Sequence, residues 1–141
     1  MKRCYCSLLI LCLALTTTAA FPQDKTDKTQ AAEKAAADWL KLLDFDAYAK
    51  SWHQASTMLR IKVTEGNYEQ TLRETRSPLG AVLSRAMKSV EYRTQLPGFP
   101  DAEYALLKYD TSFEHKKRAV ETVTMTLEKD GHWRAAGYSI R

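Results

Sequence analysis

Five side chains have the chemistry of a small active site or binding pocket: Glu121, Tyr109, Arg85, His53 and Tyr138. Glu121 or His53 could serve as a general base, and Tyr109 could donate the matching proton. Arg85 is a cation that could pair with Glu121, and Tyr138 lies on the same predicted sheet face. Together they predict a candidate pocket, and the sequence assigns no catalytic residue within it.

No recognised motif surrounds these residues. The chain has no glycine-rich phosphate loop, no nucleophile elbow and no histidine pair at the spacing of metal ligands. His115 and His132 fall in predicted turns, and His53 beside Trp52 is more typical of a helix surface than of a catalytic base. The sequence therefore predicts neither a metal site nor a cofactor.

The position of Glu121 follows from the strongest turn signal in the chain, Asp130-Gly131, which is typical of a two-residue hairpin turn. Counting back from that turn pairs the last two strands as Leu127 with Arg134, Met125 with Ala136, Val123 with Tyr138 and Glu121 with Ile140. Side chains alternate between the two faces of a strand, so the face that carries Val123 and Tyr138 is the predicted core. Glu121 falls on that face.

The preceding hairpin decides what lies across from Glu121. A three-residue turn at 114–116 places Tyr109 opposite it, whereas a four-residue turn would oppose Asp110, and adjacent carboxylates are destabilising. We expect the first register. A buried carboxylate without a partner is costly, so an inward Glu121 needs Arg85 or Tyr109 beside it. Three alternatives stay open: Glu121 reaches water at the sheet end, joins a buried hydrogen-bond network, or serves a ligand or reaction.

The spacing of apolar residues, which predicts the elements that position these side chains, changes halfway along the chain. Apolar residues recur every three or four positions in the first half, which predicts helices over 31–43, 47–55 and 64–76. Residues 58–63 predict a short strand or an extended linker. Alternation with a period of two then predicts strands over 88–96, 102–113, 118–128 and 132–141. This order predicts an α+β fold, with N-terminal helices packed on one face of a curved, mainly antiparallel four-stranded sheet.

Three features of the helical half carry separate expectations. Trp39 lies on the apolar stripe of the first helix and is expected in the core. Asp44 and Asp46 interrupt the helices and are expected to cap them rather than to form an acid pair. Arg73 and Arg76 are expected on a solvated helix face.

Residues 1–20 are typical of a secretory signal peptide. Lys2 and Arg3 precede an apolar run over 5–15, and small residues follow up to Ala20. The run spans about eleven residues, whereas a helix that crosses a bilayer needs about twenty. We therefore expect no stable membrane span after the leader is removed, although a leader kept as an anchor stays an alternative. Residues 21–30 are predicted to be a flexible lead-in, and residues 31–141 a single α+β domain.

Composition narrows the classes of protein that fit. The chain has 141 residues and a formal net charge of +4, and removal of Lys2 and Arg3 with the leader lowers that charge by two, to +2. So small an excess does not predict a nucleic-acid-binding protein. All three cysteines lie within residues 1–20, so the mature domain is expected to have neither a disulfide nor a catalytic thiol.

Short motifs spread over residues 31–141 carry a family resemblance. They are Trp39-Leu40 with Asp44, Ser51-Trp52, Arg76-Ser77-Pro78-Leu79-Gly80, Ser84-Arg85, Leu96-Pro97-Gly98, Tyr109-Asp110-Thr111-Ser112-Phe113, Val120-Glu121-Thr122-Val123, Asp130-Gly131, Gly137-Tyr138 and Ile140-Arg141. In these motifs the chain resembles the domain of unknown function 4019 family of small exported bacterial proteins. It departs from the family at Ala102, where the family favours glycine. The resemblance implies the cone-shaped α+β fold of nuclear transport factor two and no particular activity.

Two functional hypotheses follow, with a third for the assembly. We favour a periplasmic or secreted bacterial domain that is non-enzymatic and binds a small ligand or an envelope protein. The alternative is a small pocket enzyme of isomerase or hydrolase type, with Glu121 or His53 as general base. A cavity lined by these groups would favour the enzyme. A homodimer through the outer face that carries Thr122, Thr124 and Thr126 is the third hypothesis.

Overall fold

The computed structural model describes residues 23–141, and the predicted leader at 1–20 lies outside the described residues. Helices come first: α1 (Gln23–Asp44), α2 (Tyr48–His53), α3 (Thr57–Lys62) and α4 (Glu65–Thr75). A short 3-10 turn at Ser77–Leu79 leads into the strands: β1 (Val82–Arg93), β2 (Tyr104–Phe113), β3 (Ala119–Leu127) and β4 (Trp133–Ile140).

The four strands form one open, curved antiparallel sheet in the order β1-β2-β3-β4. Each strand pairs with the next one along the chain, so every connection is a hairpin. The helices all precede the sheet, and α1 packs against it. The predicted α+β architecture is therefore confirmed. Within residues 23–141, none of the helices has the length and apolar character that crossing a bilayer requires.

The core lies between α1 and the inner face of the sheet. At helical spacing, α1 buries Ala32, Ala36, Trp39, Leu40 and Leu43. Buried side chains from the sheet complete the cluster, among them Leu107, Val123, Met125 and Ala135. The indole Nε1 of Trp39 donates to the carbonyl oxygen of Ser51 at 2.9 Å, so this ring also holds α2 in place.

Two predictions in the helical half are wrong. α1 begins at Gln23 rather than at residue 31, so most of the predicted lead-in is helical, and Lys28 Nζ lies 3.0 Å from a Glu103 carboxylate oxygen near the sheet. Residues 58–62 fall in α3 and not in a strand, and Val63 follows the helix as its C-cap. A local cap explains this helix, because the Ser56 hydroxyl accepts the backbone N–H of Leu59 at 3.2 Å.

The first strand begins at Val82, six residues before its predicted start at 88. Its alternation is broken by register shifts between Val82 and Ser84 and between Met87 and Ser89. A bulge adds one residue to one strand of a pair, so side chains beyond it change face. A strict period of two is therefore absent from the sequence of β1, although the strand is long.

The predicted strand registers are confirmed over most of the sheet. Tyr109 lies opposite Glu121, as the three-residue turn requires, and Glu121 lies opposite Ile140. The last hairpin departs near its turn, where Met125 faces Ala135 rather than Ala136 after a shift that follows Thr124.

The turn itself explains this shift. The Glu128 N–H donates to the His132 carbonyl at 3.0 Å, so three residues form the loop instead of two, and Gly131 adopts the left-handed conformation with φ +80°.

Trp39→Ala should lower the free energy of unfolding by about 3–5 kcal/mol, because it removes a buried ring and leaves a cavity in the core. Urea denaturation monitored by circular dichroism measures the change. Phe45→Ala is the matched control, because Phe45 is 82% exposed and its loss should cost less than about 0.5 kcal/mol. Equal stability for the two variants would contradict the placement of α1.

Candidate functional site

Charged side chains meet where the end of α1 reaches the inner face of the sheet, and Arg85 of β1 lies at their centre. Its guanidinium donates to both oxygens of Asp44, with Nη1 2.7 Å from Oδ2 and Nη2 2.8 Å from Oδ1. The opposite edge donates to Glu121, with Nε 2.6 Å from Oε2 and Nη2 3.2 Å from Oε1. One cation therefore bridges two carboxylates with two hydrogen bonds to each, the geometry in which arginine pairs most strongly.

A second arginine, Arg76 at the end of α4, completes the charge balance. Its Nη2 donates to Asp44 Oδ1 at 3.0 Å, and its Nη1 donates to the carbonyl of Gly80 at 3.0 Å. Its guanidinium carbon also lies 4.5 Å from the centre of the Phe113 ring. Two cations thus face two carboxylates, so the group carries no net formal charge.

Glu121 is fully buried and receives two hydroxyl hydrogen bonds besides those from Arg85. Thr111 of β2 donates to Oε2 at 2.6 Å, and Tyr138 of β4 donates to Oε1 at 2.5 Å. We call these six residues the Arg85 cluster: Asp44, Arg76, Arg85, Thr111, Glu121 and Tyr138. Each carboxylate oxygen of Glu121 has two donors, which leaves little capacity to accept a proton from a substrate.

The electrostatics of the cluster favour its charged form. Burial alone would raise the pKa of Asp44, but the hydrogen bonds and charges of Arg85 and Arg76 outweigh it and hold that pKa below its usual range. Burial would lower the pKa of Arg85, yet its bonds to Asp44 and Glu121 raise it. Burial and the neighbouring Glu121 charge both raise the pKa of the Tyr138 hydroxyl, so this group stays a proton donor.

The structure brings three of the five candidate pocket residues into direct contact: Arg85, Glu121 and Tyr138. Tyr109 lies opposite Glu121 in the register, but its buried hydroxyl has no hydrogen-bond partner among the described residues, and burial raises its pKa to about 12. Of the two candidate partners for Glu121, Arg85 is therefore confirmed and Tyr109 is wrong. His53 takes no part in the cluster, since it is exposed on α2, where its Nε2 lies 3.1 Å from a Glu65 carboxylate oxygen.

Sequence reasoning missed half of the cluster. Asp44 is the last residue of α1 and pairs with two arginines rather than capping a helix, and Arg76 is 2% exposed rather than solvated. Thr111 could have been found from the sequence, because it lies two residues after Tyr109 on β2 and therefore faces the same inner side of the sheet. No sequence pattern identifies Asp44 and Arg76 as members of the cluster, because their partners lie far away along the chain.

The expectation that Glu121 reaches water at the sheet end is wrong as well, since its exposure is 0%. Of the three alternatives, the structure shows the buried hydrogen-bond network.

A groove opens beside the cluster, between α3, α4 and β4, and we call it the α3–α4 groove. Its volume is about 280 Å³, and its lining includes Leu59, Lys62, Val63, Tyr68, Thr71, Leu72, Ala136, Gly137 and Tyr138. Tyr138 belongs to both features: its hydroxyl reaches Glu121, and the residue lines the groove. Among the described residues, no cluster of three or more histidine, cysteine or acidic side chains could hold a metal ion.

The model of the family described as protein of unknown function (DUF4019) matches residues 35–138. The chain belongs to the DUF4019 family. No curated protein and no solved structure matches the chain. The likeness of the DUF4019 domain to nuclear transport factor two therefore stays a prediction, whereas the family and the α+β architecture are established.

In this DUF4019 domain, Glu121→Gln should lower the free energy of unfolding by about 3 kcal/mol or more. The glutamine side chain would place its NH₂ group against the groups that donate to Glu121, and it would leave Arg76 and Arg85 with Asp44 as their shared carboxylate. Urea unfolding monitored by tryptophan fluorescence measures the change.

Glu91→Gln is the matched control, because Glu91 also pairs with an arginine, Arg93, but both side chains are exposed. Its cost should be below about 1 kcal/mol. Similar losses in the two variants would show that the Arg85 cluster does not stabilise the fold.

Proposed function

We propose that this DUF4019 domain is a non-enzymatic binding domain that holds the apolar part of a small ligand in the α3–α4 groove. The observation that carries the proposal is a contrast between two neighbouring features. The charged groups of the Arg85 cluster are paired with one another, whereas the neighbouring α3–α4 groove is open to solvent and has a mainly apolar lining. A mostly apolar concavity with a few polar groups is the usual form of a small-ligand site.

The lining indicates what kind of ligand would fit. Leu59, Val63 and Leu72 supply aliphatic surface, and Tyr68 and Tyr138 supply aromatic surface. Within residues 23–141, Lys62 is the one charged residue in the lining, which favours a ligand with one anionic end. The volume of about 280 Å³ is slightly below the range of about 300–1,000 Å³ for ligand pockets, so the ligand that we propose is small.

The enzyme hypothesis has less support from the same geometry. A general base must have a free lone pair within reach of the substrate, and Glu121 already accepts hydrogen bonds from Arg85, Thr111 and Tyr138. His53 is exposed beside Glu65 and does not line the groove. Glu121 is therefore occupied by donors and His53 lies away from the α3–α4 groove, so neither candidate base is placed to act on a ligand there.

Octanoate is a suitable probe, because it combines an aliphatic chain with one carboxylate. Ligands of this size gain about 0.3 kcal/mol per non-hydrogen atom, so we expect a dissociation constant of about 1–10 mM. Amide chemical shifts in a ¹H–¹⁵N NMR titration measure it, and the largest changes should occur at Leu72 and Gly137 in the groove lining.

Two threonines on α4 provide a variant and a matched control. Both are exposed, and each hydroxyl donates to the carbonyl four residues before it, but only Thr71 lines the groove. Thr71→Phe should fill the groove and weaken octanoate binding at least fivefold, whereas Thr75→Phe should leave it unchanged. Equal effects of the two variants, or shifts that avoid Leu72 and Gly137, would contradict the proposed site.

We further propose that the domain acts outside the cytoplasm of a bacterium, in the periplasm or as a secreted protein. The support is the order of charged, apolar and small residues in 1–20, together with the confinement of every cysteine to that segment. Expression of the full chain in a bacterium should yield a periplasmic protein whose first residue is Phe21, as N-terminal sequencing and intact mass would show.

Leu9→Arg is the control for export, because a charge in the apolar run should keep the chain unprocessed. A full-length chain recovered from the membrane fraction would contradict cleavage and favour an anchor. A full-length chain in the cytoplasm would contradict export.

A further inference from the structure

A larger groove lies on the other side of the sheet, which we call the outer groove. Its volume is about 550 Å³, and Ser84, Asp110 and Ser112 are among the residues that line it. These residues alternate along β1 and β2 with Arg85, Tyr109 and Thr111, which point toward the helices. Thr111 of the Arg85 cluster also lines the outer groove, whereas none of the described residues lines both the outer groove and the α3–α4 groove.

Two arginines line the outer groove, Arg118 and Arg141. Arg141 follows β4 and exchanges two backbone hydrogen bonds with Val120, at 2.9 and 3.0 Å, so it lies directly across from that residue. Arg118 lies in the bend of the chain that immediately precedes β3. The outer groove therefore contains two guanidinium groups from segments that are distant along the chain.

The charges in the outer groove are unbalanced. Lys117, Arg118 and Arg141 line it and form no ion pair within the part of the chain that the structure describes. Among the described residues, Asp110 is the one acidic side chain in its lining, and the Asp110 Oδ1 already pairs with Lys88 Nζ at 3.0 Å. Here the cations stay available to a ligand, unlike those of the Arg85 cluster.

We propose that the outer groove binds a small, multiply charged anion of the phosphate or carboxylate type, held between Arg118 and Arg141. Planar guanidinium groups bind such oxygens with two parallel hydrogen bonds, and two of them in one groove can hold two anionic groups of one molecule. Ser84 and Ser112 line the same groove and add neutral hydroxyl donors. A concave site suits a discrete anion better than a flat lipid surface does.

Isothermal titration calorimetry with citrate and with pyrophosphate tests this site in the mature domain at low ionic strength. We expect one anion to bind per chain, with an affinity that falls as salt is added. Arg118→Gln and Arg141→Gln should each weaken binding at least tenfold. Arg60→Gln is the matched control, because Arg60 is exposed on α3 and lines neither groove, so it should leave binding within twofold.

Four outcomes would overturn the proposal. The absence of binding to both citrate and pyrophosphate excludes the site. A loss of affinity in Arg60→Gln equal to that in Arg118→Gln and Arg141→Gln shows that the anions are attracted by the overall positive charge and not by this groove. Sedimentation on vesicles that contain phosphatidylglycerol, without binding of either soluble anion, assigns the cations to a membrane surface. Analytical ultracentrifugation that shows a dimer dissociated by Thr122→Arg, on the same outer face, assigns this face to a second copy.

Unchanged thermal midpoints of the arginine variants exclude misfolding as the cause of a loss. The octanoate titration reports on the opposite side of the sheet, so failure of either site leaves the other open to test.

Discussion

The bidentate pairing of Arg85 with two carboxylates is the interaction on which this arrangement of helices and sheet depends. A cation that is mostly removed from water must be matched by nearby negative charge, or its desolvation destabilises the fold. Arg85, whose side chain is 16% exposed, meets that requirement only when Asp44 at the end of α1 and Glu121 near the start of β3 lie on either side of it. Arg76 then balances the second negative charge and brings the end of α4 to the same place. The cluster therefore fixes the position of the helical layer on the sheet at one end, while the apolar stripe of α1 fixes it along the rest of its length.

The same contacts explain why the buried carboxylate supports structure better than chemistry. Each oxygen of Glu121 is occupied by donors that would have to leave before it could take a proton. The ligand sites that we propose lie elsewhere: the α3–α4 groove has a mainly apolar lining beside Tyr138, and the outer groove contains Lys117, Arg118 and Arg141, which form no ion pair within residues 23–141. The sheet separates the two grooves, because alternate residues of one strand point to opposite faces. The two proposed sites can therefore differ in their chemistry.

The parts of the fold that could be predicted are those governed by neighbours along the chain. The α1 stripe, the positions of the turns between strands and the pairing of Glu121 with Tyr109 and Ile140 all follow from local spacing. The predicted strand pairing and strand limits were wrong where an extra residue in a turn or a bulge shifted the register. A three-residue loop at Gly131 moved the last hairpin by one position near its turn, and two bulges concealed the length of β1. At α3, the Ser56 cap favoured a helix in a stretch whose weak alternation was typical of a strand.

The sequence by itself determined the order of helices and strands, the inward parity of Glu121 and its need for a cation or a hydroxyl donor, because these depend on alternation and on the cost of burying charge. Only the tertiary structure decided which groups meet that need. Thr111 and Tyr138 supply the hydroxyls while the Tyr109 hydroxyl stays without a partner, because small differences in side-chain position across neighbouring strands select among inward-facing donors. Asp44 and Arg76 could not be chosen from the sequence at all. Their partners are distant along the chain, and no periodic pattern links residues that only the packing of α1 and α4 on the sheet brings together.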